Sequence, residues 1–271
     1  MSSSLVGSEM CIRDSWSVEI NISIFGTKSF PMISPGDDIA DIIIHNLKTN
    51  KISIHNGDIL TIAQKIISKS ENRYRKLSNI KPTKKAKTVG DKISKDPRLV
   101  QAVLDESKKI VRYKKNVLIV EHKLGFIHAN AGIDRSNIDQ KNEQILLLPK
   151  DPDKSAKKIG QKLEKYFQKD ISIIISDTMG RPFRNGVVGF AIGSYNLECL
   201  RDEIGSFDLY GNDLKVTQIG IADELAASAS LIMGQANEAM PLVIIRDFYK
   251  RRESKLNAQS LIRNEKEDLF R

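Results

Sequence analysis

Ile173-Ile-Ile-Ser-Asp-Thr-Met-Gly-Arg-Pro-Phe-Arg-Asn-Gly186 is an apolar run that ends in an acid, a hydroxyl and two guanidinium groups. The isoleucine-rich run predicts a buried strand over Ile171–Ile175. A turn carrying Asp177, Thr178, Arg181 and Arg184 is expected to follow it. A buried strand holds whatever follows it rigidly, and this set suits a hard cation through oxygen and an anion through arginine. On these residues alone, a solvated strand end with ordinary ion pairs is an equally good reading.

With 271 residues the chain has ample sequence for a core. No apolar run approaches the length that spans a bilayer, so a soluble, cytoplasmic protein without a membrane partner is expected. The net charge of +9 raises a nucleic-acid partner, a membrane surface or small acidic ligands. Lysines are scattered, and the denser clusters Lys81–Lys87 and Lys250–Lys255 sit among polar residues without interleaved aromatics. General basicity is favoured over a nucleic-acid stripe, and no nucleic-acid partner is expected. Cys11 and Cys199 are too few for a disulfide framework or a zinc site. Met1–Ser15 lacks the regions of a signal peptide. Its Glu9–Ser15 segment matches what a sequencing adapter encodes in one frame, so residues 1–15 read as a non-native leader.

Further along, Trp16–Ile24 alternates as a half-buried strand does. Ser34-Pro-Gly leads into Asp37, the expected N-cap of a helix with Ile39, Ile42, Ile43 and Leu47 on one side. Ile59–Ile62 is a short strand leading to Gln64, Lys65, Ser68 and Lys69, a group that on its own reads better as a capped helix start with exposed lysines. Asn72–Lys95 predicts loops and a partly exposed helix. Asp96-Pro97 opens a helix whose apolar face is Leu99, Val100, Val103, Leu104 and Ile110. Strands are expected at Val117–Val120 and near Phe126-Ile127, and a helix over Asp153–Phe167. No repeat or low-complexity linker divides the chain, which argues for one integrated architecture.

Three other segments carry polar groups beside buried elements. Asn130, Asp134, Ser136 and Asn137 crowd around Gly132, where Asp134 could meet a cation and Asn137 a base, ribose or phosphate. Asp223 is expected to cap an alanine-rich helix stopped by Gly234, with Gln235, Asn237 and Glu238 in the short loop before a strand over Leu242–Ile245. Around Gly205 and Gly211, Arg201, Asp202, Asp208 and Tyr210 lean towards a structural role. His128 reads as a packed side chain, and no Ser-His-Asp, Cys-His, Walker or dinucleotide pattern is present.

Taken in order, several motifs resemble the coenzyme F420:L-glutamate ligase family over roughly Ile24–Asp247. They are Phe30-Pro-Met-Ile, Gln64-Lys65 with Ser68-Lys69, Lys95-Asp-Pro-Arg-Leu-Val, Asn130-Ala-Gly-Ile-Asp-Arg-Ser-Asn and Asp177-Thr with Gly-Arg-Pro-Phe-Arg-Asn-Gly. Asp208-Leu-Tyr-Gly, Ala222-Asp-Glu-Leu-Ala and Met233-Gly-Gln complete the set. The resemblance implies GTP-dependent ligation of L-glutamate to F420-0 through an acyl phosphate, with magnesium or manganese and optionally potassium. It implies a mixed α/β (α+β) fold with largely antiparallel sheets, paired as an intertwined homodimer.

Carried onto this sequence, the resemblance makes Asp134, Asp177, Thr178 and Gln235 metal ligands. Phe30, Pro31, Met32, Ile33, Gln64, Lys65, Lys69 and Asn137 would line the GTP pocket, with the loop Met233, Gly234, Gln235, Ala236, Asn237, Glu238, Ala239 and Met240. In that loop Ala236 and Ala239 stand where the family often has glycine. Asp134 and Asp177 are also placed in catalysis, and the chemistry of Arg181 and Arg184 suits phosphate or carboxylate. The expected organisation is a ligase domain over 16–248, in the stand-alone form, and a charged, helical tail within 249–271. An amide ligase of the same fold acting on another phosphorylated acid is the enzyme alternative. A basic nucleic-acid-binding protein is the other.

Overall fold

The computed structural model describes residues 21–138, 143–249 and 251–269. The proposed leader therefore lies outside the described residues, as does Trp16–Ile20. Its centre is a five-stranded sheet in the order β1-β12-β2-β8-β9, comprising β1 (Ser23–Gly26), β2 (Ile59–Ala63), β8 (Ser172–Arg181), β9 (Arg184–Tyr195) and β12 (Leu242–Arg246). β2 and β8 are parallel, and the other pairings are antiparallel. The isoleucine runs are buried because both faces are covered. α1 (Ile39–Thr49) and α5 (Pro152–Phe167) pack with Ile173 and Ile175 on one side, and α6 (Ile221–Met233) packs with Ile174 and Ile245 on the other.

Between β2 and β8 the chain inserts α2 (Gln64–Ser70), β3 (Tyr74–Lys76), α3 (Lys84–Ile93) and α4 (Pro97–Asp105). β4 (Ser107–Lys114), β5 (Val117–His122) and β6 (Ile127–Ala129) form a three-stranded antiparallel sheet against α3 and α4, and β7 (Gln144–Leu146) pairs with β3. A short pair, β10 (Arg201–Asp202) with β11 (Gln218–Ile219), follows β9. The fold class is the mixed α/β, largely antiparallel one expected.

Several local expectations are corrected. The chain does not turn at Asp177. β8 runs on to Arg181, and only Pro182 and Phe183 separate it from β9, because Met179 and Val188 continue the ladder. The N-cap of α1 is Asp38, whose Oδ1 accepts from Ala40 N at 3.0 Å, while Asp37 accepts from Ser34 N at 2.7 Å. Ile110 lies on β4, since α4 stops at Asp105 and the β-branched pair Ile110-Val111 favours a strand. α6 starts after Gly220, and Asp223 instead accepts from Ala191 N on β9 at 2.9 Å.

The tail is not a continuous helix. Its described residues form two 3-10 turns, Ala258–Leu261 and Glu265–Glu267, each capped by an asparagine side chain that competes with helix extension. It is strapped back by Arg251, which donates to both Asp170 oxygens at 2.7 and 3.0 Å. The scattered lysines are also partly gathered. Lys85 of α3 and Lys108, Lys109 and Arg112 of β4 line one shallow basic surface, where charge keeps an exposed sheet edge from pairing with other chains.

Gly189 sets the contact between β9 and α6, because a Cβ there would lie 2.4 Å from Ala226 O. Gly189→Ala is expected to push α6 off the sheet and cost about 1–3 kcal/mol. Urea unfolding checks this: a lowered midpoint is expected, and an unchanged one would refute the contact.

Candidate active site

Register brings the separated motifs to one end of the central sheet. Ala63 pairs with Ser176, so Gln64, just past the end of β2, and Asp177, within β8, lie side by side. Ala63 N also donates to Pro241 O at 2.9 Å, and Thr27 N to Leu242 O at 3.2 Å. The Phe30 segment, the Gln64 helix, Asp177 and the Met233–Met240 loop thus all flank this end.

Lys65 of α2 crosses to the loop after β6. Its Nζ lies 2.6 Å from Asp134 Oδ2 and donates to Ser136 Oγ at 3.0 Å. Asp134 Oδ1 accepts from Ser136 N at 2.6 Å and from its hydroxyl at 2.8 Å, while its backbone bridges to Leu146. Burial alone would raise the Asp134 carboxyl, but the Lys65 ammonium and the Ser136 donors outweigh it and hold the group below the usual carboxylate range. Lys69 is buried beside them, and burial, reinforced by the Lys65 charge, lowers its pKa. Gln64 Oε1 accepts from Ser68 Oγ at 2.9 Å.

Asp177 is the opposite case. Its Oδ2 is buried without a hydrogen-bond donor. Burial pushes its carboxyl up and the Asp134 charge adds to this, against the lowering effects of His128 and the Thr178 N–H. A buried carboxylate oxygen without a donor, within the field of a second carboxylate, is what a hard cation relieves. Among the described residues no three His, Cys, Asp or Glu side chains cluster as a ready-made cage.

Strand alternation separates Asp177 from Thr178. Asp177 pairs with Phe190 and faces His128, whereas Thr178 pairs with Gly189 and faces α6. Along β9, Ala191 meets Asp223 and Gly189 meets Ala226 and Ser230, so the C-terminal end of α6, with Gln235 just beyond, points towards the hairpin. Of the four expected ligands, Asp177 and Thr178 therefore face opposite sides of the sheet, and Gln235 follows the end of α6.

The loop after α6 is joined to the first pair by Asn137, whose Nδ2 donates to Ala236 O at 3.1 Å. Gly234 admits the turn, since a Cβ there would collide with the Glu238 carboxylate, which accepts from Ala236 N at 2.8 Å. Ala239 keeps the left-handed conformation that glycine would take freely, at φ 53°. Asn237 and Met240 belong to the same loop. Ile33 is buried in the core and can offer a ligand only its backbone, while Pro31 and Met32 are exposed and Phe30 is half-buried. Arg181 and Arg184 are not brought to Asp177: four residue steps along the strand, about 13 Å, separate Arg181 from it. The Arg181 Nε is nevertheless buried without a partner.

Among the loosely assigned residues, Arg201 is buried and paired with Glu198 at 2.7 Å, the structural role expected. Asp208 organises an exposed turn by accepting from Tyr210 N and Asn212 N. His128 was missed as a site residue. It packs as expected, against Phe126 and Phe190, yet its Nε2 also lies 3.6 Å from Asp177 Oδ2. Lys95 was missed as well. It donates to Asn130 Oδ1 at 2.5 Å, beside a left-handed turn through Asn130, Ala131 and Gly132 that leads into Asp134.

The profile of the F420-0:gamma-glutamyl ligase family matches residues 28–247. The chain belongs to that family. It is 43% identical to the coenzyme F420:L-glutamate ligase of Methanothermobacter thermautotrophicus, covering 93% of this chain and all of that protein. Ligases of the same name from Methanocaldococcus jannaschii and Archaeoglobus fulgidus are 46% and 38% identical over 80% and 93% of this chain, and over 86% and 97% of their own lengths. The chain is thus a ligase of coenzyme F420 biosynthesis, and no described helix is long and apolar enough to cross a membrane.

The two carboxylates of the ligase predict opposite pH responses. The raised Asp177 carboxyl gives stability that is present below the ordinary carboxylate pKa and lost as pH rises through its raised value. Asp177→Asn should therefore raise the melting temperature of metal-free protein at neutral pH. Asp134, held low, stabilises above the ordinary carboxylate pKa and loses this as pH falls, so Asp134→Asn should lower it. Thermal melts across the acid to neutral range check both, and equal shifts of the two variants would contradict the assignment.

Proposed function

We propose that this ligase joins L-glutamate in gamma-glutamyl linkage to F420-0, using GTP and a divalent metal, magnesium or manganese, through an acyl-phosphate intermediate. The observation that carries the reading is the buried Asp177 oxygen without a hydrogen-bond donor, in a chain of this family. In the first step an oxygen of the F420-0 terminal carboxylate attacks the gamma phosphorus of GTP, and GDP leaves. The glutamate amine then attacks the acyl carbon, phosphate leaves and the amine loses a proton, which gives the amide.

The residues divide the work by charge. Asp134 and Asp177 would hold one cation, and Thr178 with Gln235 a second; bound there, divalent ions supply charge neutralisation for the phosphates. Lys65 and Lys69 direct ammonium groups at the transferred phosphate, and the partial burial of this end strengthens them by excluding water. Gln64, Asn137, the Phe30–Ile33 segment and the Met233–Met240 loop bind GTP. Arg181, with its unpaired Nε, and Arg184 hold an anionic group of the acid substrate or glutamate.

Pairing as a homodimer is part of the same proposal. It is supported by apolar side chains exposed to solvent, among them Leu209 at 101%, Tyr210 at 91% and Val216 at 86% exposure. Incubation with F420-0, GTP, glutamate and metal should yield a product one glutamyl residue heavier, detected by mass spectrometry. Asp177→Asn should reduce turnover about 100-fold or more, on the scale of losing one preorganised charge-stabilising group. No product with any divalent metal would overturn the reading, and product from other phosphorylated acids alone would favour the alternative amide ligase.

A further inference from the structure

β2 stops at Ala63, opposite Ser176, so from Asp177 onward β8 has lost its parallel neighbour. A backbone left open there, next to a buried charge, needs another group to fix it. His128 of β6 meets that need. Its Nε2 lies 3.1 Å from Thr178 O and donates to it in the tautomer protonated at that nitrogen. The same nitrogen lies 3.6 Å from Asp177 Oδ2, too far for a hydrogen bond but close enough to act on the carboxylate through charge and dipole.

The ring itself is held on several sides. Nδ1 faces Ala129 O at 2.8 Å, the Phe126 ring meets it edge-on at 6.2 Å, and the Phe190 ring lies 5.8 Å away at 33°. Phe126 in turn stacks on His122 at 5.2 Å and meets Phe190 edge-on at 5.4 Å. Phe190 is also the cross-strand partner of Asp177. One aromatic group therefore locks the imidazole and underlies the carboxylate.

We infer that His128 is a positioning residue that sets the Asp177 carboxylate for metal binding by fixing the backbone at Thr178 and flanking the carboxylate. The inference rests on the proposed metal role of Asp177. Outer groups that hold a ligand carboxylate typically change metal affinity 10–100-fold. A purely structural histidine in an aromatic cluster would be replaced by phenylalanine without such a change.

The test is manganese titration by calorimetry, in the presence of GDP, for the unaltered protein, His128→Phe and His128→Gln, with melting temperatures alongside. His128→Phe keeps the aromatic volume and should weaken manganese binding about 10-fold or more. His128→Gln restores an N–H donor and should recover most of the loss. Unaltered affinity in a folded His128→Phe protein would overturn the inference, as would equal weakening by both variants. Unaltered protein that binds no manganese would overturn the metal reading itself. If His128→Phe does not fold, the His128 ring proton and nitrogen resonances of the unaltered protein are followed through a magnesium titration with GDP. They should shift with saturation, and their constancy while magnesium binds would overturn the inference.

Discussion

A carboxylate buried without a donor constrains the rest of this structure. Asp177 Oδ2 is enclosed where β8 passes the end of β2, and burial disfavours its charge. Folding keeps such a group only if the surrounding packing is strong enough to hold it. Here the central strands supply that strength: Ile173, Ile174 and Ile175 are fully buried between layers of helix. The stability of the sheet and the chemistry at its end are thus linked, because the rigid strand that makes the core also forces the acid into place.

The long insertion between β2 and β8 has its use in the same geometry. Two parallel strands deliver Gln64 and Asp177 side by side, and the inserted sheet returns His128 and Asp134 to them. Lys65 neutralises Asp134 but leaves Asp177 unmatched, so the two acids have opposite electrostatic character. A cation arriving between them would meet one carboxylate already partnered and one without a donor.

The layered α/β plan was legible because its signals are local. The isoleucine run, the Asp96-Pro97 helix start and the Gly234 stop each depend on neighbours within a turn or two. The hairpin at Pro182-Phe183 was not legible, since a Gly-Arg-Pro-Phe-Arg-Asn-Gly stretch resembles an open turn, and only pairing with β9 shows the strand continuing. That pairing moved Arg181 and Arg184 away from Asp177 and set Thr178 on the opposite face. Asp134, Asp177, Lys65 and Asn137 were nameable from motifs, but the Lys65–Asp134 contact depends on the inserted sheet. His128 gave no local signal: a histidine between apolar residues looks the same whether it faces core or carboxylate.

The most direct measurement is anomalous scattering from crystals grown with manganese and GDP. A manganese peak is predicted within coordination distance of Asp177 Oδ2 and Asp134, with the Lys65 ammonium turned from Asp134 towards phosphate. Manganese bound elsewhere, with Asp177 still unpartnered and Lys65 still on Asp134, would contradict the account.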